Sequence, residues 1–220
     1  MNHPPEVLRE RLAEAARYAL LRRLAPALRH DMAGALQPVS MMAAMLEKRL
    51  QKPAPDLVAL GKNGNAINSL AREAAASCMS LMTWLAPRDD APVAVNTCIA
   101  ESLALVATEM SFRGLSLVNQ TESVSGMVLL SALRDVFMAS LLALTDECEG
   151  PANVVLTATT SGESMVIGMH IARREDEPLM AGGTQPAYRK LGWDDVEALA
   201  EAQKVGLSHS AGAVELRFPG

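Results

Sequence analysis

The strongest constraint on the fold of this sequence is a seven-residue spacing of apolar side chains between residues 21 and 46. Leu21, Leu28, Ala35 and Met42 recur at that spacing, and Met32, Val39 and Leu46 form an adjoining stripe. Such a period marks a helix packed lengthwise on other helices. Upstream, Leu8, Leu12, Ala15, Ala16, Leu20 and Leu24 recur at helical spacing and predict a helix over 6–24. Pro26 and Pro38 interrupt the pattern. Each removes one backbone donor, which predicts a kink or a break. Lys52-Pro53-Ala54-Pro55-Asp56 reads as a turn, with Asp56 as the N-cap of a second helix. That helix runs through Leu57, Leu60, Ile67, Leu70, Ala74, Cys78, Leu81 and Leu85, weakened in its first turns by Gly61 and Gly64. Two long helices with a short connection make an antiparallel hairpin. A lone hairpin cannot bury both apolar stripes. Two copies forming a four-helix bundle, hence a homodimer, is the expected solution.

Composition narrows the partners. The 220 residues include only two Trp, two Tyr and three Phe, against 13 Met. Packing therefore falls to Leu, Ala, Val and Met, and methionine suits adaptable contact surfaces. A net charge of −5 supplies no basic footprint, so no nucleic-acid partner is expected. No apolar run reaches the length of a membrane span, and Met1–Glu6 lacks a charged-then-apolar signal pattern, so no membrane association is expected. Cys78, Cys98 and Cys148 are an odd number without metal-like spacing. They read as reduced, mostly buried thiols of a cytoplasmic protein, with no metal site.

Ala86-Pro87-Arg88-Asp89-Asp90-Ala91-Pro92 reads as a polar linker. It separates a helical domain, 1–86, from a second domain, 93–220. There the pattern predicts a short strand at Val93–Val95, a helix over 97–112, a strand at Leu115–Gln120 and a helix over 131–147. Asn153–Thr160 and Ser164–Ala172 read as strands joined by Ser161-Gly162-Glu163. A helix at Trp193–Val205 has Asp194 and Asp195 in its first turn, where acids suit the dipole. Ala213–Phe218 reads as a last strand. The expected class is α+β: a helical hairpin followed by an α/β sandwich with helices on one face of the sheet.

One histidine carries the candidate chemistry. By period His30 lies on the outer face of the first helix with Arg23 and Gln37, and its neighbours there are small. An imidazole held out to solvent beside a carboxylate, Asp31, is suited to accept a phosphoryl group from another protein. Arg29, Ala33, Gly34 and Gln37 lie within one or two turns and form the expected partner-binding surface. The blander readings are a plain surface histidine and a solvated helix aspartate. His170 reads as structural, and His3 and His209 carry no motif. Met41, Met42 and Met45 read as packing, and Glu147, Cys148 and Glu149 as a solvated helix end.

The run Leu28-Arg29-His30-Asp31-Met32-Ala33-Gly34-Ala35-Leu36-Gln37-Pro38 resembles the phosphoacceptor box of two-component histidine kinases, in which a His followed by an acid sits on the first helix of a dimerising hairpin. From about residue 17 to the end, the order of elements is similar to a histidine kinase core: phosphotransfer hairpin, then ATP-binding sandwich. Leu133–Leu142 resembles the helix carrying the N-box, whose Asn residues hold magnesium and phosphates. The matching positions are Ala139 and Ala143, which cannot coordinate a metal. Ala172–Pro178 stands where the family has an Asp-x-Gly-x-Gly loop for adenine, and lacks those glycines. Leu191-Gly192-Trp193 resembles the last Gly-rich segment with one glycine kept, and Gly182-Gly183 is at most a remnant. Gly206–Leu216 resembles the terminal strand pair. A phosphoacceptor box without an ATP site is the combination found in dimeric, kinase-derived histidine phosphotransferases. The resemblance implies His30 as phosphoacceptor, Asp31 as the group that orients or activates it, and no cofactor of the chain's own. It further implies magnesium supplied by a partner receiver domain, with response-regulator receiver domains or a hybrid sensor kinase as partners. Gly34 departs from the Thr or Asn that many members carry there for phosphatase activity. An active kinase with a divergent ATP site and a non-catalytic scaffold that binds a receiver or a kinase are the competing expectations.

Overall fold

The computed structural model describes residues 5–85, 91–174 and 191–219. Residues 86–90 of the predicted linker 86–92, the Glu175–Pro178 stretch, Gly182, Gly183 and His3 lie outside the described residues. The chain divides into two compact units, Ala25–Arg88, and Met1–Leu24 together with Asp89–Gly220. The sequence pattern puts residues 1–86 in one domain. The structure instead puts the first 24 with the second unit, because their apolar side chains are buried and their arginines paired there.

The first unit is a helical hairpin. Helix α1 spans Pro5–Leu50 and contributes its later part, and α2 spans Leu57–Leu85. The helix runs through Pro26 and Pro38 without the break that was one expected outcome. Each proline removes one of many backbone hydrogen bonds, a loss that a long, tertiary-packed helix can carry. Lys48 and Arg49 in the last turn of α1 suit its dipole. The Asp56 Oδ1 accepts hydrogen bonds from the N–H of Val58 at 2.9 Å and of Ala59 at 3.1 Å, the expected N-cap of α2. Arg49 donates to Asn63 Oδ1 at 2.9 Å and ties the two helices near their connection. Leu36, Met41, Met45, Met79 and Met82 remain exposed.

The second unit is an α/β sandwich. Strands β2 (Leu115–Asn119), β4 (Ala152–Ser161), β5 (Ser164–Arg173), β6 (Gly206–Ser210) and β7 (Ala213–Phe218) form one sheet in the order β2-β4-β5-β7-β6. Only β2 and β4 are parallel. Alternate residues face the core: Val154 and Leu156, Ile167 and Met169, Val214 and Leu216. The β4–β5 hairpin turns through Gly162 at φ +63°, a conformation that favours glycine. A second, two-stranded sheet pairs β1 (Pro92–Ala94) with β3 (Met127–Leu129) antiparallel. The sequence pattern misses β3, since three residues carry no readable period.

The helical layer holds α3 (Val95–Phe112), α4 (Leu130–Ala132), a π-helical segment (Leu133–Phe137), α5 (Met138–Asp146) and α6 (Trp193–Ala202). Residues 130–146 realise the single helix expected over 131–147, with one wider turn inside it. Ile99, Val106, Leu133, Phe137, Leu141, Leu142, Val196 and Leu199 are buried in this layer. The first part of α1 belongs to the same unit, with Ala13, Ala16, Leu20 and Leu24 buried. Arg17 donates to Asp135 at 2.7 Å, and Arg9 pairs with Glu201 at 3.2 Å. Arg23 forks onto both oxygens of Glu109 and lies 3.5 Å from Asp146. Arg23, expected on an outer face with His30 and Gln37, is thus buried, because acidic groups of α3 and α5 line that face of the helix.

Candidate functional site

His30 stands on the hairpin part of α1 with 73% of its side chain exposed, and Asp31 with 47%. Asp31 Oδ1 lies 3.4 Å from His30 Nδ1. That contact is long for a hydrogen bond, yet it places the carboxylate at one ring nitrogen. Nε2 has no hydrogen-bond partner among the described residues.

A groove of about 420 Å³ opens beside this pair, lined by His30, Asp31 and Gly34 from α1 and by Ser77, Ser80 and Leu81 from α2. Helix geometry explains each wall. His30 and Gly34 are four residues apart, Ser77 and Ser80 three, and Ser77 and Leu81 four, so each set shares a face. The hairpin brings the walls together. His30 lies twenty residues before Leu50 at the end of α1, and Ser77 lies twenty residues after Leu57 at the start of α2. The space beside Gly34 is open: a Cβ built there meets no atom within 4 Å.

The sequence-predicted residues divide accordingly. His30, Asp31 and Gly34 come together in the groove. Arg29, Ala33 and Gln37 are exposed at four-residue spacing along α1 but do not line it. Ser77 and Ser80 are not singled out by the sequence pattern, and Leu81 is read there only as part of the apolar stripe of the second helix. The symmetry of the two helices about their connection is the signal that locates them.

In the sandwich unit, Ala139 and Ala143 are buried methyl-bearing positions on α5 and present no donor atom to a cation. The strand expected to end at Ala172 extends to Arg173, and Arg174 donates to the Gly114 carbonyl at 2.6 Å. Gly192 is the N-cap of α6, its N–H donating to the Asp195 carboxylate at 3.0 Å. Trp193 stacks on His209 with ring centres 4.1 Å apart and donates to Glu147 at 2.7 Å. His209 and Glu147 are therefore in use structurally, a pairing the sequence does not signal. Among the described residues, no group of three or more His, Cys, Asp or Glu side chains is arranged to hold a metal. None of the described helices is long and apolar enough to cross a membrane.

No protein-family model matches the chain, and no curated protein matches it. Among solved structures it is similar to the histidine kinase AdeS of Acinetobacter baumannii, at 13% identity and a TM-score of 0.43, covering 83% of this chain and 96% of that one. It is also similar to a histidine kinase from Burkholderia phymatum, at 16% identity and a TM-score of 0.41, covering 89% and 96%. The blue-light activated histidine kinase of Erythrobacter litoralis matches at 14% identity and a TM-score of 0.45, covering 82% and 63%.

Proposed function

We propose that this chain is a histidine phosphotransferase of a two-component phosphorelay, passing a phosphoryl group between receiver-domain aspartates through His30 without using ATP. The observation that carries the reading is His30 itself: an exposed imidazole with Asp31 at Nδ1, Nε2 unengaged, and a groove beside it.

Those groups define the chemistry. A receiver domain with a phosphorylated aspartate docks on the hairpin over Arg29, Ala33 and Gln37. With its proton on Nδ1, facing Asp31, the neutral ring offers the lone pair of Nε2. Nε2 attacks phosphorus in line, the N–P bond forms, and the P–O bond to the aspartyl oxygen breaks. The aspartate leaves as a carboxylate. The ring keeps its Nδ1 proton and gains positive charge, which the Asp31 carboxylate offsets. Reversal hands the group to a second receiver. Positioning supplies most of the rate, and the receiver brings the magnesium that neutralises the phosphoryl charge. Ala139 and Ala143 do not fit a cation–nucleotide site, which supports transfer without ATP.

The reading includes a homodimer. The exposed Met41, Met45, Met79 and Met82 on the two helices of the hairpin are the apolar surface that a second copy would cover.

Mixing the purified chain with phosphorylated receiver domains from the same genome, with His30→Ala and ATP alone in parallel, tests the proposal. Acid-labile label on wild type and none on His30→Ala is the expected result. Label from ATP alone would make the chain a kinase. Binding without label would leave a scaffold.

A further inference from the structure

We propose that Ser77 and Ser80 of α2 are catalytic residues of the His30 site, donating their hydroxyls to the phosphoryl oxygens as the group moves to Nε2. The inference rests on the transfer reading above and identifies what in this chain holds the group being moved.

The phosphoryl group carries two negative charges on its non-bridging oxygens, and its transfer is governed by groups aimed at those oxygens. No lysine or arginine lines the groove. Asp31 presents a carboxylate, which repels those oxygens and suits the ring instead. Gly34 and Leu81 have no polar side-chain atom. His30 apart, the side-chain donors lining the groove are the two serine hydroxyls. Neither hydroxyl makes a hydrogen bond among the described residues, so both are available. A serine on a helix often bonds back to its own backbone, as Ser140 does to the Val136 carbonyl at 2.7 Å. Ser77 and Ser80 do not.

Placement agrees with this role. Ser77 and Ser80 sit one turn apart on one face of α2 and share the groove with His30 and Gly34 on α1. The missing side chain at Gly34 leaves room for the incoming group and the loop that delivers it. Leu81 adds an apolar patch beside the two hydroxyls. The serines accompany the group in both directions, and no proton is exchanged with them: each hydroxyl keeps its hydrogen and contributes only a hydrogen bond.

The test measures label transfer from acetyl-phosphate-charged receiver domains to the intact chain in single-turnover experiments. Ser77→Ala, Ser80→Ala, the double variant, Ser77→Thr with Ser80→Thr, and His30→Ala are compared with wild type. Both serines are exposed and alanine favours helix, so the variants fold. Hydrogen bonds to charged groups are strong enough that each lost hydroxyl is expected to slow transfer by roughly tenfold. The receiver concentration giving half-maximal rate stays unchanged, and the threonine pair restores much of the rate. A double variant that transfers at the wild-type rate, while His30→Ala takes no label, overturns the serine assignment and leaves the relay standing. A parallel rise in the half-maximal receiver concentration with the maximal rate unchanged also overturns it, since the serines would then only bind the receiver. No label on wild type from any receiver overturns the relay and the serine assignment with it.

Discussion

On the proposed relay, Gly34 trades stability for access. Glycine in a helix interior costs about 1 kcal/mol relative to alanine, and a Cβ at this position would meet nothing within 4 Å. Gly34→Ala is therefore expected to raise the unfolding free energy by up to about 1 kcal/mol in urea titrations. The same methyl narrows the groove beside His30, so transfer from a receiver should slow several-fold. A variant that is more stable and equally fast would mean that the gap is not used. Cysteine chemistry makes a separate prediction. Cys98 is buried while Cys78 and Cys148 are half-buried, so one of the three thiols fits the expectation of burial. Desolvation pushes the Cys98 thiol above its ordinary value of 9.0, with Arg134 pulling the other way, and burial raises Cys148 as well. The thiolate is the reactive form. At pH 8 iodoacetamide should thus label Cys98 far more slowly in the folded chain than in urea, with native labelling climbing only above pH 9. The matching stability contribution is fully present below the unfolded-state value and lost as pH rises through the folded one. Rapid labelling of Cys98 at pH 8 would count against its burial. At this scale His30, Asp31 and Gly34 are legible because helical period places them from local sequence alone. Ser77 and Ser80 depend on how α2 pairs with α1, and local period cannot report that. Arg23 departs from its expected outer face for the same reason: period gives a face, and what lies on that face is set by distant residues.

Helix α1 shows what element-level reading captures and what it loses. Its apolar spacing is plain in the sequence. Its continuity past Pro26 and Pro38 is not, since a proline's effect depends on the packing on either side of it. The π-helical segment leaves no trace in the sequence, and β3 is too short to show alternation, whereas β1 overlaps the strand expected at Val93–Val95. The first part of α1 is fixed by both packing and charge. Arg23 keeps only 2% of its side chain exposed and faces Glu109 and Asp146. Arg23→Ala removes one partner of those carboxylates and leaves Arg113 against both, and a loss of about 1–3 kcal/mol is expected. Leu20 is fully buried, so Leu20→Ala should cost about 2–4 kcal/mol by cavity formation. Both are read by chemical denaturation with the sandwich unit's Trp193 as the fluorescence probe. Variants that melt like wild type would mean that residues 5–24 do not contribute to that unit's stability.

For the whole molecule, the α+β class and the order of elements can be read from pattern because most elements are long enough to declare themselves. The partition of the chain cannot, because it turns on which surface the first helix meets. Association is the prediction at this scale. If exposed methionines on α1 and α2 form the interface between copies, sedimentation should give twice the chain mass. Met45→Glu combined with Met82→Glu should then give monomers. A wild-type chain that sediments as a monomer at all concentrations would remove the bundle. The discontinuous unit also sets an order of assembly. Residues 5–24 are synthesised before the helical elements they pair with, which all come after Asp89. Their pairing must wait for those helices, whereas the hairpin that intervenes in sequence is complete much earlier. The sheet-bearing unit is thus the slower partner, and a chain stalled before α3 leaves the apolar face of its first helix exposed to chaperones and proteases.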